Sequence, residues 1–123
     1  MPPVFFSYPY KRRPIMSDSS AQNNDHWREL DEWRGKIDAI DRQLASLLSE
    51  RLSYAQRISA VKKRIGENVL QPEREKEVLG NVLSQVESPM MQQAIERIYQ
   101  GILNESRLFQ HEWKSAQQSI SAR

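Results

Sequence analysis

The sequence contains no cysteine, and only four glycines and two histidines among 123 residues. Without a thiol it can form neither a disulfide nor a thiolate metal site, and His26 and His111 stand too far apart in sequence to suggest a transition-metal centre. Neither a metal nor a cofactor is expected. No apolar run approaches the roughly 20 residues needed to span a bilayer. The apolar start of the chain is broken by prolines and precedes its basic cluster, the reverse of a secretory signal. The expected location is therefore the cytoplasm, without membrane contact. Segments of alternating Val, Thr and aromatic residues are missing too, which leaves an all-α chain. A net charge of +2, with basic residues interspersed among acidic ones, gives no electrostatic footprint for nucleic acid.

What remains is helical periodicity. From Ile37, alternate steps of three and four residues land on Ile40, Leu44, Leu47, Arg51, Tyr54, Ile58, Val61 and Ile65, a seam that is apolar or aromatic except at Arg51. This first helix should begin near Asn24 or Asp25 and stop at "GEN" after Ile65, about 40 residues or roughly 60 Å. A domain of about 90 residues has a radius of gyration near 12 Å, so the helix is longer than its own domain can cover. A second copy of the chain is the expected cover, which predicts an obligate, intertwined homodimer.

"QPEREKEVLGNVLSQV" reads as a second helix with Pro72 at its first position, Glu73 and Glu75 in its first turn, and Val78, Leu79, Val82 and Val86 on its buried face. "ESPMMQQAIERIYQGILNESRLFQHEWKSA" reads as a third, capped by Ser88, with a seam of Met91, Ile95, Ile98, Ile102, Phe109 and Trp113. The expected organisation is three helices, the first very long, in one domain over residues 26–115. Disordered tails are expected at residues 1–25 and 116–123. Met16 is an alternative start, and the cluster Lys11, Arg12 and Arg13 is either idle or a docking element.

Polar residues interrupt these seams in a pattern. Arg51 and Lys62, eleven residues apart, lie about 20° apart around the helix and about 16 Å along it, so both can lean toward one small ligand. Arg34 lies about 100° around the helix from Arg51 and so points elsewhere, a partner subunit being one place it could reach. Arg74 and Glu75 open the second helix, and Ser106 and Gln110 share a face of the third. A half-buried cation needs a counter-charge. Glu50, Asp38 and Asp41 are local candidates; a bound anion is the alternative that accounts for all the interruptions together. No nucleophile–base pair is present, so such a site would act by positioning and electrostatics.

The spacing Arg34, Arg51, Lys62, the Arg74–Glu75 pair in "PEREKE", and Ser106 and Gln110 in "NESRLFQ" resembles the AroQ-type, all-helical chorismate mutases. That class also forms the N-terminal domain of bacterial P-proteins. "LDEWRGKIDAIDRQLASLLSERLSYAQRI" is similar to the family's opening signature. The resemblance covers about residues 27 to 113. It implies an intertwined dimer with two equivalent sites that convert chorismate to prephenate without a cofactor, on the route to phenylalanine and tyrosine. By resemblance, Arg34 from the partner subunit, Arg51 and Arg74 hold the substrate carboxylates. Lys62 and Gln110 hydrogen-bond the ether oxygen, Glu75 holds the ring hydroxyl, and Ser106 is a secondary contact. Many relatives carry Asp where this chain has Gln71, which can still hydrogen-bond.

Rival readings are an isochorismate pyruvate lyase on the same scaffold, a mutase of the 4-amino analogue of chorismate, and a non-catalytic dimerisation or regulatory module. Glu75 argues against the lyase, whose relatives tend to be apolar there. The intact polar set argues against the inert module. No dehydratase or dehydrogenase is expected behind the third helix.

Overall fold

The computed structural model describes residues 21–121, most of them in three α-helices: α1 over Ala21–Ile65, α2 over Pro72–Leu83 and α3 over Pro89–Ser121. The tail expected before residue 21, with its basic cluster and Met16, lies outside the described residues. α1 starts at Ala21, earlier than the cap expected at Asn24 or Asp25, and α3 runs on to Ser121, past the boundary drawn at 115. Polar residues such as "AQNND" carry no apolar period, so the seam alone could not mark these ends.

The chain divides into two compact units, the first ending at Arg42 and the second starting at Gln43. In the first unit the described residues are the N-terminal part of α1. Its contacts are local: Trp33 Nε1 donates to Glu29 Oε1 at 3.5 Å, and the Lys36 ammonium lies 4.5 Å from the Trp33 ring centroid. Trp27, Trp33, Ile37 and Ile40 are exposed.

The second unit holds the rest of α1 with α2 and α3. α1 ends in a Schellman arrangement: Glu67 N donates to Lys62 O at 2.8 Å and Gly66 N to Lys63 O at 3.4 Å. Gly66 takes φ +74, the left-handed region that this cap requires and that side chains resist. Lys62, Lys63 and Arg64 occupy the last turn, where the helix dipole favours cations. α2 begins with Pro72 at its first position, as expected, and Glu73 and Glu75 sit in its first turn. At the start of α3, Ser88 Oγ accepts from Met91 N at 3.4 Å. Gln92 Nε2 closes the turn before it by donating to Val86 O at 2.6 Å.

α2 and α3 make the close helix pair of this unit. α1 meets them with Ala55 and Ser59, buried beside the expected seam, with half-buried Lys62, and with Arg51, the one seam residue that is half-buried. The apolar and aromatic residues of the seam are uncovered within the chain, from 44% exposure at Val61 to 66% at Ile65. On α3, Met91 and Ile98 are exposed, whereas Ile95, Ile102, Phe109 and Trp113 are half-buried. The buried hydrophobic residues are Ala55, Val69 and Leu103, and they are matched in number by buried Ser59, Ser106 and Gln110. The middle of the unit is thus as polar as it is apolar, which is the character of a site more than of a core.

Candidate active site

Between the three helices of the second unit lies a cleft of about 430 Å³, a size suited to a small molecule. α1 contributes Arg51, Tyr54, Ala55, Ile58 and Lys62; the loop after it contributes Val69 and Gln71; α2 contributes Arg74, Glu75 and Val78; α3 contributes Leu103, Ser106, Arg107 and Gln110. Of the residues singled out in the sequence, Arg51, Lys62, Gln71, Arg74, Glu75, Ser106 and Gln110 therefore line one cleft. Arg34 does not line it; it is an exposed residue of the first unit.

Each polar group has a distinct environment. Arg51 overlies the Tyr99 ring at 5.9 Å and forms no ion pair among the described residues. Glu50, one candidate for its counter-charge, instead accepts from Tyr54 Oη at 2.8 Å, and that bond holds the phenol above its ordinary pKa. Lys62 Nζ donates to the carbonyl oxygen of Val69 at 3.0 Å. Burial pushes its pKa below the ordinary lysine value, although the charges of Glu75 and Glu67 pull the other way. Arg74 reaches outward to Glu77 at 2.7 Å, an exposed pair of little energetic weight. Gln110 is 7% exposed, and its Oε1 has no hydrogen-bond partner among the described residues. A buried amide left unsatisfied in a cleft is an open hydrogen-bonding position, and a half-turn of the amide presents donor or acceptor there.

Arg107 was not anticipated. Its guanidinium donates to Glu75 Oε1 from Nη1 and to Asn104 Oδ1 from Nη2, the latter at 3.1 Å. The cleft therefore carries four cations, Arg51, Lys62, Arg74 and Arg107, against the single carboxylate Glu75, a formal surplus of three positive charges. With Arg107 engaged by Glu75 and Arg74 by the exposed Glu77, Arg51 and Lys62 are the cleft cations without a carboxylate partner among the described residues. Among the described residues no group of three or more His, Asp or Glu is placed to hold a metal ion. None of the described helices is long and apolar enough to cross a membrane.

Residues 33–111 match the family model described as chorismate mutase type II. The chain belongs to that family. The matched span includes every lining residue of the cleft. A bifunctional chorismate mutase/prephenate dehydratase from Aquifex aeolicus (strain VF5) is 40% identical over 55 residues, a stretch that is 45% of this chain and 15% of the relative. The similarity thus spans only a small part of that bifunctional protein's length. For a chorismate mutase type II chain, the observed helix order and the absence of strands among the described residues are in keeping with the all-α, three-helix expectation.

Proposed function

We propose that this chain is a chorismate mutase that rearranges chorismate to prephenate, supplying phenylalanine and tyrosine synthesis. The observation that carries the reading is the cleft, in which Arg51, Lys62, Arg74, Glu75 and Gln110 converge in a chain of the chorismate mutase type II family. The substrate is a dicarboxylate whose reactive chair is one conformer among several in water. Arg51 and Arg74, with Arg34 from the partner subunit, hold the two carboxylates and select that chair, an orientation effect. Arg74 leaves Glu77 to do so. As the C–O bond breaks, negative charge gathers on the ether oxygen. The Lys62 ammonium and the Gln110 amide donate to it, and these bonds strengthen toward the transition state. Glu75 accepts from the ring hydroxyl, with Gln71 and Ser106 as secondary contacts. No covalent intermediate and no cofactor enter the scheme.

The functional molecule in this reading is an intertwined homodimer, and residues 26–115 are its catalytic domain. Support comes from the seam of α1: Ile37, Ile40, Leu44, Leu47, Ile58, Val61 and Ile65 are exposed in the single chain. Most of the stability of a helix in a protein comes from packing of its apolar face, and on α1 that face is uncovered in the single chain. A second copy covers that face and brings Arg34 to the site.

The test is direct. Purified protein mixed with chorismate should remove its ultraviolet absorbance, and the product should be prephenate. Release of pyruvate from isochorismate, with chorismate left untouched, would assign the chain to the lyase, against the carboxylate of Glu75 in the cleft. No turnover of chorismate at all would overturn the reading.

A further inference from the structure

We propose that Arg107 is a positioning residue that fixes the Glu75 carboxylate for the ring hydroxyl of the substrate and keeps it from competing for the cations meant for the substrate's own carboxylates. The inference rests on the mutase reading above and deepens it. The Arg107–Glu75 pair joins α3 to α2 across 32 positions of sequence, and both side chains are largely enclosed, 29% and 22% exposed. It is unlike the pairs Arg28–Asp25, Arg74–Glu77 and Lys76–Glu73, each of which lies three positions apart along one helix and is well exposed.

The geometry has two consequences. First, the guanidinium is held at both edges, by Glu75 Oε1 and by Asn104 Oδ1, so its planar fork cannot rotate freely. It takes one oxygen of Glu75 and leaves Oε2 to accept a hydroxyl. Arg107 also lies between Ser106 and Gln110 on one stretch of α3, so the helix that carries the ether-oxygen donor also sets the hydroxyl acceptor. Second, Glu75 acts electrostatically on Lys62 already. Released from Arg107, the carboxylate would turn toward Lys62 or Arg74 and occupy a cation that the substrate needs. Arg107 thus preserves the cleft's capacity for a dianion while presenting one acceptor in a fixed place.

The experiment uses the full chain with Arg107→Met, which keeps the apolar stem, and Arg107→Lys, which keeps the charge without the fork. Circular dichroism and melting report folding; kcat and KM are measured on chorismate. The expected result is folded Arg107→Met protein with kcat/KM on chorismate lowered roughly 10- to 100-fold, and Arg107→Lys intermediate. In a Glu75→Ala background Arg107→Met should add no further loss, because the two residues act as one unit. A purely structural tie between α2 and α3 would instead lower the melting temperature and leave kcat/KM per folded site unchanged, which overturns the inference. If Arg107→Met does not fold, Arg107→Lys decides: wild-type kcat/KM in that variant overturns the role given to the fork. Wild-type protein that leaves chorismate untouched defeats the parent reading; an active wild type with unimpaired Arg107 variants defeats this inference alone.

Discussion

The Lys62 ammonium donates a 3.0 Å hydrogen bond to the backbone carbonyl of Val69, joining the last turn of α1 to the loop that leads to Gln71 and α2. Val69 is buried, and Lys62 is half-buried with a neutral partner in place of a carboxylate. A cation so placed is incompletely solvated and incompletely paired, so its protonated form is disfavoured until an anion arrives. The same contact fixes the direction in which Nζ approaches the cleft.

A pH dependence follows from that placement. Burial lowers the Lys62 pKa against the opposing pull of Glu75 and Glu67. In the free enzyme the ammonium is lost as pH rises through this depressed value, below the ordinary 10.5. kcat/KM for chorismate should therefore fall on the alkaline side with a midpoint below that of a free lysine. For stability the sign is reversed. The folded chain carries the cost of a desolvated cation at pH below the depressed value and is relieved of it as pH climbs toward the unfolded value. Lys62→Ala should lose about 100- to 1,000-fold in kcat, and Lys62→Arg should push the alkaline limb upward. An unmoved limb in Lys62→Arg would assign it to another group.

Arg51 separates function from folding. It has no carboxylate partner among the described residues and overlies Tyr99 at 5.9 Å, so little folding energy rests on it. Arg51→Ala should keep its helical circular dichroism and its association state while losing about 100-fold or more in kcat/KM, as expected when a clamp on a substrate carboxylate is removed. Unfolding of this variant would mean that the guanidinium serves the bundle.

Much of this was legible in the sequence, and the exceptions have physical reasons. Arg51 breaks a helical seam, and helical periodicity alone put it on one face with Lys62; both line the cleft. The Pro72 start of α2 and the Ser88 cap of α3 are encoded by single residues with fixed backbone or hydrogen-bonding needs. Arg107 was illegible because its partner lies 32 positions away on another helix. In a chain with 28% charged residues, an arginine in "NESRLFQ" looks like any solvated one, and only its place beside Ser106 offered a hint. The stripe by which α1 meets its own chain was also hidden, since Ala55 and Ser59 are too small to stand out beside the large apolar residues of the seam.

Gln110 provides a test of the ether-oxygen donor. Its Oε1 is buried and unpaired among the described residues, and the neutral amide can donate at any pH. Gln110→Glu places a carboxyl in the same enclosed position, where desolvation raises its pKa. Only the protonated acid can donate. Activity of this variant should rise as pH falls through the raised pKa, while the wild type stays level over the same range. Equal pH profiles for the two proteins would remove Gln110 from the reaction centre.

Glycine at position 66 tests the frame of the loop. With φ +74 and no atom within 4 Å of the place a Cβ would take, Gly66→Ala meets no clash but adopts a left-handed conformation at a cost of roughly 1–2 kcal/mol. The melting temperature should drop by several degrees, on the scale of about 4–8 °C per kcal/mol for a domain of this size. Because the turn positions Val69, the partner of Lys62, kcat should fall with it. An unchanged melting temperature would show that the α1 terminus relaxes without its cap.

The sharing of Arg34 between subunits can be settled by mixing two inactive proteins. Arg34→Ala and Arg51→Ala should each lose most activity as homodimers, because every site in either one lacks a carboxylate-binding arginine. If Arg34 serves the partner's cleft, a heterodimer of the two variants concentrates both defects in one site and leaves the other whole. At equal concentrations half of the dimers are mixed, each with one intact site in two, so co-refolded protein should recover about a quarter of wild-type activity. The exposed seam predicts how that recovery can be blocked: Ile40→Asp introduces a charge at a position exposed in the single chain. In both proteins it should abolish the dimer by sedimentation and the recovered activity together. A wild-type chain that sediments as a stable folded monomer at micromolar concentration, or a mixture no more active than its components, would return Arg34 to the status of a surface residue.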